Sequence, residues 1–310
     1  MRVKWGVWPV DATGNDLARV IRSRRVGSAP SRVEIPLLPG GRRIAFTSSW
    51  DDGQIDDRRL VELLNRFQLP ATFHLISGTL DQNDTRGHFV SAGEVAELYG
   101  GHEVAVHTRT HPNLPDLDPT QIAEEIIENR KALEDLVGYP VRGMSYPYGG
   151  YSSRVQGLVR GLGMSYARTV EHGGTSFPPA DPMAWAPTCH IHADRPLPVS
   201  LRWDAFYSNP HSRGLFAVWG HGYDITRKDD WAAFGGLLSR IAGHEDVWYC
   251  TAIQLFDYES ARSRICIAAN RRTAFNPSAS PVTLKVDGHF IDVPAGRTIP
   301  LTTEYAVKAA

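Results

Sequence analysis

The sequence predicts an α/β protein whose parallel sheet closes, or nearly closes, into a barrel and is followed by a small antiparallel β unit. From Arg43 to Tyr258, apolar strand-like runs alternate with segments of helical periodicity, which indicates repeated βα units. After Tyr258 the runs become short and are separated by turn residues, as in antiparallel hairpins. These patterns divide the 310 residues into an N-terminal extension (1–41), a (β/α) domain (42–258) and a C-terminal β unit (259–310).

The first half of the (β/α) domain contains clear signals for both element types. Strands are predicted at Arg43–Ser48, Ala71–Ile76 and Glu103–Val106, and helices at Ile55–Phe67 and Ser91–Tyr99. The best-marked helix follows Asp118, a good N-cap, with Pro119 in the first helical position and Gln121 completing a capping box. Gly138 and Pro140 are expected to end this helix.

The second half repeats the alternation and then changes character. Further strands are predicted at Arg142–Tyr146, Met164–Thr169, Ala184–Ile191, Leu215–Gly220 and Val247–Ala252, with helices between most of them. The C-terminal runs are Ile265–Ala269, Val282–Val286, Phe290–Val293 and Thr298–Leu301. For this unit we favour a structural cap on the barrel over a carbohydrate-binding surface.

Bulk composition narrows the classes of function. The 42% hydrophobic and 22% charged residues are ordinary for a soluble globular protein, and the net charge of −1 favours neither nucleic acid nor anionic membrane as a partner. No segment reads as a membrane span or signal peptide, so we expect a cytoplasmic protein, or a secreted one if a leader has been trimmed. Cys250 and Cys266 lie in apolar runs and are expected to be buried and reduced, while the oligomeric state is left open.

Three polar clusters follow predicted strands, at the ends where βα barrels build their sites. They are Ser49–Gly53 (Ser-Trp-Asp-Asp-Gly), His107–Pro112 (His-Thr-Arg-Thr-His-Pro) and Trp219–Gly222 (Trp-Gly-His-Gly). One carboxylate with two imidazoles suits Zn²⁺ or a similar divalent ion, and a free carboxylate and a separate histidine nearby can act as general base and general acid. Each cluster alone is more often a turn, a helix cap or a loop histidine, but their joint placement favours a metal-dependent site. Cys189, His190 and His192 could suggest a second metal, although alternation along one strand explains them more simply.

In combination the clusters resemble the motifs of the polysaccharide deacetylase family, carbohydrate esterase family 4, which shares the nodulation-factor deacetylase homology domain. The resemblance extends over roughly residues 43–258 and implies a distorted (β/α) barrel. The first family motif, Thr-Phe-Asp-Asp-Gly, corresponds to residues 49–53. It implies that Asp51 is the catalytic base and Asp52 a metal ligand.

The second and fifth motifs supply histidines. His-Ser/Thr-x-x-His-Pro is fully matched at residues 107–112, which implies that His107 and His111 are the remaining metal ligands. The resemblance implies Zn²⁺ as the metal, with Co²⁺ or Ni²⁺ as alternatives. The fifth motif, Leu-x-His, is matched by Trp219-Gly220-His221 with tryptophan in place of leucine, and implies that His221 is the catalytic acid.

The third motif, Arg-x-Pro-Tyr-Gly, is only partly matched, by Ser145-Tyr146-Pro147-Tyr148-Gly149. It implies that the Tyr148 backbone N–H stabilises the reaction oxyanion. Because Ser145 stands where the family has arginine, Asp51 needs another cation or hydrogen-bond donor to hold it ionised and correctly oriented. We expect Arg168 to contact Asp51 from a neighbouring strand, with Arg142 as the alternative.

The fourth motif, an aspartate shortly before a tryptophan, is loosely matched by Asp181 and Trp185. In the family these residues orient the acid histidine and wall the acetate pocket. Trp185 is therefore predicted to bind substrate, together with Trp50, Pro147 and Trp219 from the other motifs.

The resemblance implies hydrolysis of an N-acetyl group, or less favourably an O-acetyl group, on a carbohydrate. Two alternatives stay open. One is amide hydrolysis on a non-sugar substrate, because relatives of this fold open cyclic amides; the other is a catalytically silent carbohydrate-binding protein. The sequence identifies neither the glycan nor the acetyl position.

Overall fold

The computed structural model describes residues 29–85, 87–192 and 198–302. The strands are β1 (Val33–Glu34), β2 (Ile44–Asp52), β3 (Thr72–Leu75), β4 (Asn83–Asp84), β5 (Gly87–His88), β6 (Glu103–Val106), β7 (Gly143–Ser145), β8 (Tyr166–Arg168), β9 (Cys189–His190), β10 (Gly214–Gly220), β11 (Val247–Tyr249), β12 (Cys266–Ile267), β13 (Thr273–Phe275), β14 (Val282–Val286), β15 (His289–Val293) and β16 (Thr298–Pro300). The α-helices are α1 (Asp57–Arg66), α2 (Val95–Leu98), α3 (Pro119–Val137), α4 (Ser153–Gly161), α5 (Val199–Ser208), α6 (Gly222–Lys228), α7 (Trp231–Ile241) and α8 (Ala252–Arg262). Among the described residues, no helix combines the length and the apolar character needed to cross a bilayer.

The main sheet is parallel and has the order β8-β7-β6-β3-β2-β10-β9, with β11 also paired to β2. Its two edges are connected by the chain between Trp185 and His190. At one end of this segment Trp185 forms a parallel bridge with Arg168 of β8, and at the other end β9 pairs with β10. The sheet therefore curls into the distorted (β/α) barrel that the sequence predicts.

The central strand β2 shows how the sequence separates the two faces of the sheet. Successive side chains of a strand point to opposite faces. Phe46 and Trp50 lie on the outer face, where they make edge contacts with Trp203 of α5 and Phe234 of α7 at ring distances of 5.8 and 5.5 Å. Ala45 belongs to a second apolar cluster on the inner face. By the same alternation the side chain of Asp51, six residues after Ala45, also points to the inner face.

Two predicted strands differ from the structure. The run Ala184–Ile191 forms regular strand only at Cys189–His190, because its residues change partner from β8 to β10 along the segment. The run Val247–Ala252 ends as strand at Tyr249, and Ala252 begins α8. A short apolar run cannot by itself separate a buried strand from the start of a buried helix. Cys266 is exposed rather than buried, whereas Cys250 is buried as predicted.

The helix α3 confirms the predicted capping box and helps to position the site. The Asp118 carboxylate accepts hydrogen bonds from the backbone N–H groups of Thr120 and Gln121, and Gly138 ends the helix with φ of 72°. One buried residue of α3, Asn129, reaches into the barrel. Its side chain donates to the Leu75 carbonyl at 3.0 Å and accepts from the His107 backbone N–H at 3.3 Å. The start of the second motif is thereby tied to the helix behind it.

The C-terminal strands form two small antiparallel sheets around a core of their own. One sheet has the order β1-β14-β15 and the other β12-β13-β16. The β14–β15 hairpin turns at Asp287 and Gly288, both with positive φ, as a two-residue hairpin turn requires. Because β1 pairs with β14, residues before the barrel belong to the same sheet as the C-terminal unit. The division into an extension, a barrel and a terminal unit stays a prediction, and residues 1–28 and 303–310 lie outside the described part of the chain.

Candidate metal and catalytic site

The predicted site residues meet at the carboxyl end of the barrel strands. Asp51 and Asp52 are the last residues of β2, His107 directly follows β6, and His221 directly follows β10. Consecutive strand residues normally face opposite ways, but Asp52 has φ of 82°, outside the strand region. This local turn lets both adjacent carboxylates reach the same site. The two aspartates are the last residues of β2 itself, whereas the sequence predicted them after the strand.

Asp52, His107 and His111 form a compact trio of ligand-type atoms. Asp52 Oδ1 lies 3.5 Å from His107 Nε2 and 3.7 Å from His111 Nε2, and the two Nε2 atoms are 3.1 Å apart. Ligands at about 2.0–2.2 Å in a tetrahedron around Zn²⁺ have similar mutual spacings. Asp52 Oδ1 is buried and has no hydrogen-bond partner among the described residues. A buried carboxylate oxygen without a donor is costly, so this donor set fits a divalent cation.

The ring nitrogens of the trio are oriented for ligation. His107 Nδ1 lies 3.0 Å from the Ser145 carbonyl oxygen, which can only accept, so the proton is on Nδ1 and the Nε2 lone pair faces Asp52. Burial lowers the pKa of His111 to about 4, so this ring is neutral near pH 7. Neutral imidazole is the form that binds metal.

Asp51 is a buried carboxylate held by several donors. Arg168 donates to Oδ2, Ser145 Oγ donates to Oδ1 at 3.2 Å, and His74 Nδ1 lies 3.2 Å from Oδ1 without hydrogen-bond geometry. Burial acts to raise the pKa of Asp51, but the Arg168 guanidinium holds it well below its usual range. Asp51 is therefore an ionised, desolvated carboxylate beside the ligand trio.

The structure brings Arg168, and not Arg142, to Asp51. Ser145 of β7 and Arg168 of β8 are direct partners in the sheet, so the arginine stands one strand away from the family position. Its guanidinium carbon lies 4.6 Å from the centre of the Trp219 ring, a cation–π contact. Trp219 thus supports the relocated arginine at the position where the family motif has leucine. Arg142 instead pairs with Asp257 at 2.7 Å.

We expect Arg168→Met to lower turnover by roughly 10–100-fold, as loss of outer partners commonly does at metal sites. Without the guanidinium the pKa of Asp51 rises, so at a given acidic pH a smaller fraction of its carboxyl group is ionised. The acidic limb of the pH–rate profile should move to higher pH while the metal content is unchanged. Arg142→Met is the matched control, because it makes the same substitution at an arginine that pairs with Asp257 instead of Asp51. It should leave the acidic limb of the profile in place. An unmoved limb in Arg168→Met would contradict the assignment.

His221 lies close to Asp52 of the trio and has a carboxylate partner. Its Nδ1 is 2.8 Å from Asp224 Oδ2, and its Nε2 is 4.0 Å from Asp52 Oδ2. Burial acts to lower the pKa of His221, but hydrogen bonding to Asp224 and the charges of Asp51 and Asp52 raise it above its ordinary value. A protonated imidazole with a free Nε2 can serve as a general acid.

The fourth-motif assignments differ from the structure. Asp181 does not reach His221: it accepts hydrogen bonds from Arg160 at 2.8 Å and from the Met183 backbone N–H at 2.9 Å. The carboxylate that orients His221 is Asp224, which the sequence reasoning missed. A usable signal was present, because an acidic residue three positions after a histidine at a helix start lies on the same side of the first turn.

Two predicted substrate contacts are not at the cleft. Trp50 is 1% exposed and faces outward onto α7, and Trp185 is 1% exposed and packs against Tyr166 and Phe256 within the inner apolar cluster. Both large side chains are therefore part of the hydrophobic core. Trp219 is nearly buried, with one face occupied by Arg168.

The third motif forms a tight turn beside the ligand trio. Pro147 is buried at the start of a 3₁₀ turn spanning Pro147–Gly149, in which Tyr148 has φ of 56°. The Tyr148 side chain is 71% exposed, and its ring lies 4.5 Å from that of His111. Tyr148 therefore stands at the open rim of the site. The catalytic and binding roles of all these residues stay predictions.

Comparison with known proteins agrees with the motifs. Residues 40–167 match the family model for polysaccharide deacetylase. The peptidoglycan-N-acetylglucosamine deacetylase of Listeria monocytogenes is 29% identical over 143 residues, covering 45% of this chain and 28% of that protein. The chitooligosaccharide deacetylase of Rhizobium leguminosarum bv. phaseoli is 25% identical over 150 residues, covering 47% of this chain and 59% of that protein. The matched regions span less than two thirds of either relative's length.

Solved structures share the fold. A Mycobacterium smegmatis structure designated a polysaccharide deacetylase superposes with a TM-score of 0.57 at 17% identity, covering 76% of this chain and 95% of that one. PuuE allantoinase superposes with a TM-score of 0.54 at 15% identity, covering 73% and 93%. At these identities the likeness concerns the fold alone. Over residues 40–167 the chain is therefore similar to polysaccharide deacetylases, and its barrel has the fold of the solved structures.

Proposed function

We propose that this protein is a metal-dependent deacetylase that hydrolyses N-acetyl groups on a carbohydrate. The observation that carries the proposal is the placement of an ionised, arginine-held Asp51 and a carboxylate-held His221 around one ligand trio. A general base, a general acid and a metal-ligand set close together are the groups that metal-assisted amide hydrolysis uses. The two relatives named as deacetylases of peptidoglycan and of chitooligosaccharide support a glycan as the substrate.

Asp52, His107 and His111 would hold the metal, for which we propose Zn²⁺, with Co²⁺ or Ni²⁺ as alternatives. When bound, such an ion supplies Lewis-acid chemistry, polarising a carbonyl and lowering the pKa of water. The chain's own part is to fix the trio. Ser145 holds the His107 ring through its carbonyl, and Asn129 holds the His107 backbone.

The base and the acid have separate steps. Asp51, kept ionised by Arg168, takes a proton from the attacking water as its oxygen bonds to the acetamide carbon. The Tyr148 backbone N–H is proposed to donate to the oxyanion that develops. His221 donates its Nε2 proton to the amide nitrogen, so that the C–N bond breaks with a neutral amine leaving. The products are acetate and a free amino sugar.

The decisive experiment measures acetate and free amine together. The purified protein, loaded in turn with Zn²⁺, Co²⁺ or Ni²⁺, is incubated with N-acetylglucosamine, chitooligosaccharides, peptidoglycan and acetylated xylan. We expect acetate and amine in equal amounts from an N-acetylated glycan, with loss on chelation and recovery on adding metal. Acetate without amine would indicate an O-acetyl esterase instead.

Absence of acetate release from every glycan would count against the proposal. Hydrolysis of cyclic or linear amides under the same conditions would then favour an amidase that acts on a non-sugar substrate. We include these amides because the fold is similar to that of an allantoinase. Glycan binding without any hydrolysis would favour a catalytically silent carbohydrate-binding protein.

A further inference from the structure

His190 approaches the site from a strand that none of the family motifs includes. It lies on β9, which pairs with β10 so that His190 is the direct neighbour of Trp219. Its Nε2 is 3.3 Å from Asp224 Oδ2, the same oxygen that lies 2.8 Å from His221 Nδ1. Two histidines therefore converge on one carboxylate oxygen.

The proton positions in this group follow from its hydrogen bonds. The His192 backbone N–H donates to His190 Nδ1 at 3.1 Å, so Nδ1 is unprotonated and the ring proton is on Nε2. Nε2, the protonated nitrogen, is the ring atom that lies 3.3 Å from Asp224 Oδ2. Since a carboxylate only accepts, His221 likewise carries a proton on Nδ1 and keeps Nε2 for the reacting side.

A second metal site at His190, His221 and Asp224 is the competing interpretation, because their ligand-type atoms all lie within 4.8 Å of one another. A metal on His190 Nε2 needs the lone pair of that nitrogen, which moves the ring proton to Nδ1. The proton on Nδ1 would then face the His192 N–H. The observed acceptor role of Nδ1 therefore favours a hydrogen-bonded group over a metal site.

The surroundings of His190 fix its ring. It meets the Trp219 ring edge-to-face at 4.6 Å, and Trp219 in turn supports the Arg168 guanidinium. One chain of contacts thus runs from Arg168, the partner of Asp51, through Trp219 and His190 to Asp224. The residues that hold Asp51 and those that hold His221 are therefore packed against one another.

We propose that His190 is a positioning residue for the acid step, holding Asp224 Oδ2 with its Nε2–H so that the carboxylate fixes the tautomer and direction of His221. A second imidazole N–H 3.3 Å from the oxygen that His221 contacts leaves Asp224 less rotational freedom than His221 alone would. This inference rests on the proposed role of His221 as the general acid.

The test compares His190→Phe with His190→Gln. Phenylalanine keeps an aromatic ring against Trp219 without a donor, whereas the glutamine side-chain amide offers an N–H near the position of Nε2. In His190→Phe we expect kcat to fall about 10-fold, at the lower end of outer-partner losses, with KM and bound metal unchanged. His190→Gln should recover most of kcat. His192→Gln, which keeps the backbone N–H, is the control and should resemble the parent.

A readout independent of turnover is the ring ¹⁵N NMR spectrum of the metal-free protein. At an alkaline pH, where the His221 ring is neutral, the parent should show His190 protonated on Nε2 and His221 on Nδ1, and His190→Phe should show a mixture of His221 tautomers. His190 protonated on Nδ1 in the parent would overturn the inference, even if His190→Phe failed to fold. So would an unchanged kcat and tautomer in His190→Phe, or a second bound Zn²⁺ that this variant loses. If the parent releases no acetate, the proposed function fails, while the NMR spectrum still decides the role of His190.

Discussion

Asp52→Asn should give a folded protein whose metal affinity falls by more than the roughly 10–100-fold that loss of an outer partner costs, and whose acetate release falls to background. The side chain keeps its shape but loses its charge, and a neutral amide oxygen is a weaker ligand for a divalent ion. Asparagine also tolerates the left-handed backbone at this position, where φ is 82°. The fold should therefore survive the change.

Metal content by elemental analysis and affinity by competition with a chelator provide the measurement. Asp181→Asn is a matched control, because the Asp181 carboxylate accepts hydrogen bonds from Arg160 and from the Met183 backbone N–H and is not a member of the trio. It should keep parental metal content and activity. Full metal binding by Asp52→Asn would show that the trio is wrong. The search would then turn to His190, His221 and Asp224, the other described group with metal-ligand spacing.

The convergence of Asp52, His107 and His111 was predictable from sequence, because the motifs follow strands of a parallel barrel. The carboxyl ends of such strands meet at one face of the barrel, so residues far apart in sequence converge there. Asp52 and His107 illustrate this, since β3 is the only strand between β2 and β6 in the sheet. The alternation of strands and helices predicted a closed or nearly closed barrel, and the family resemblance added its distorted form.

Which face a side chain takes was less predictable. Trp50 precedes Asp51 in the first motif, and was expected at the substrate, but strand alternation turns it outward onto Phe234. Asp52 would follow it outward if its backbone were regular. Only the positive φ at Asp52 brings it back, and no periodicity in the sequence encodes that local turn.

Partners across the barrel depend on register, which the sequence constrains only loosely. Arg168 was expected at Asp51 because its strand ends at the same face, and the pairing of Ser145 with Arg168 supplies that contact. Asp224 was missed because the family pattern directed attention to Asp181. The carboxylate instead comes from α6, the helix that follows His221 directly, and a search for the family motifs does not detect it.

Asp51→Asn should lower kcat by about 10²–10⁴-fold, the usual contribution of a general base, while the protein keeps about one metal per chain. Asparagine fills the same volume but cannot take a proton from water. Asp52, His107 and His111 are untouched, so their metal should stay. Loss of metal in this variant would instead make Asp51 a ligand and would require another base.

The same substitution should also destabilise the fold, and that effect can be separated from catalysis. Arg168 is buried, and removing one partner of a buried ion pair costs about 3–5 kcal/mol because the other charge is left uncompensated. The double variant Asp51→Asn with Arg168→Met removes both charges, so its free energy of unfolding in urea should recover most of this loss. Its kcat should remain as low as that of Asp51→Asn alone. Recovery of activity together with stability would mean that Asp51 acts only through the fold, and the base would have to be sought among the other carboxylates of the cleft.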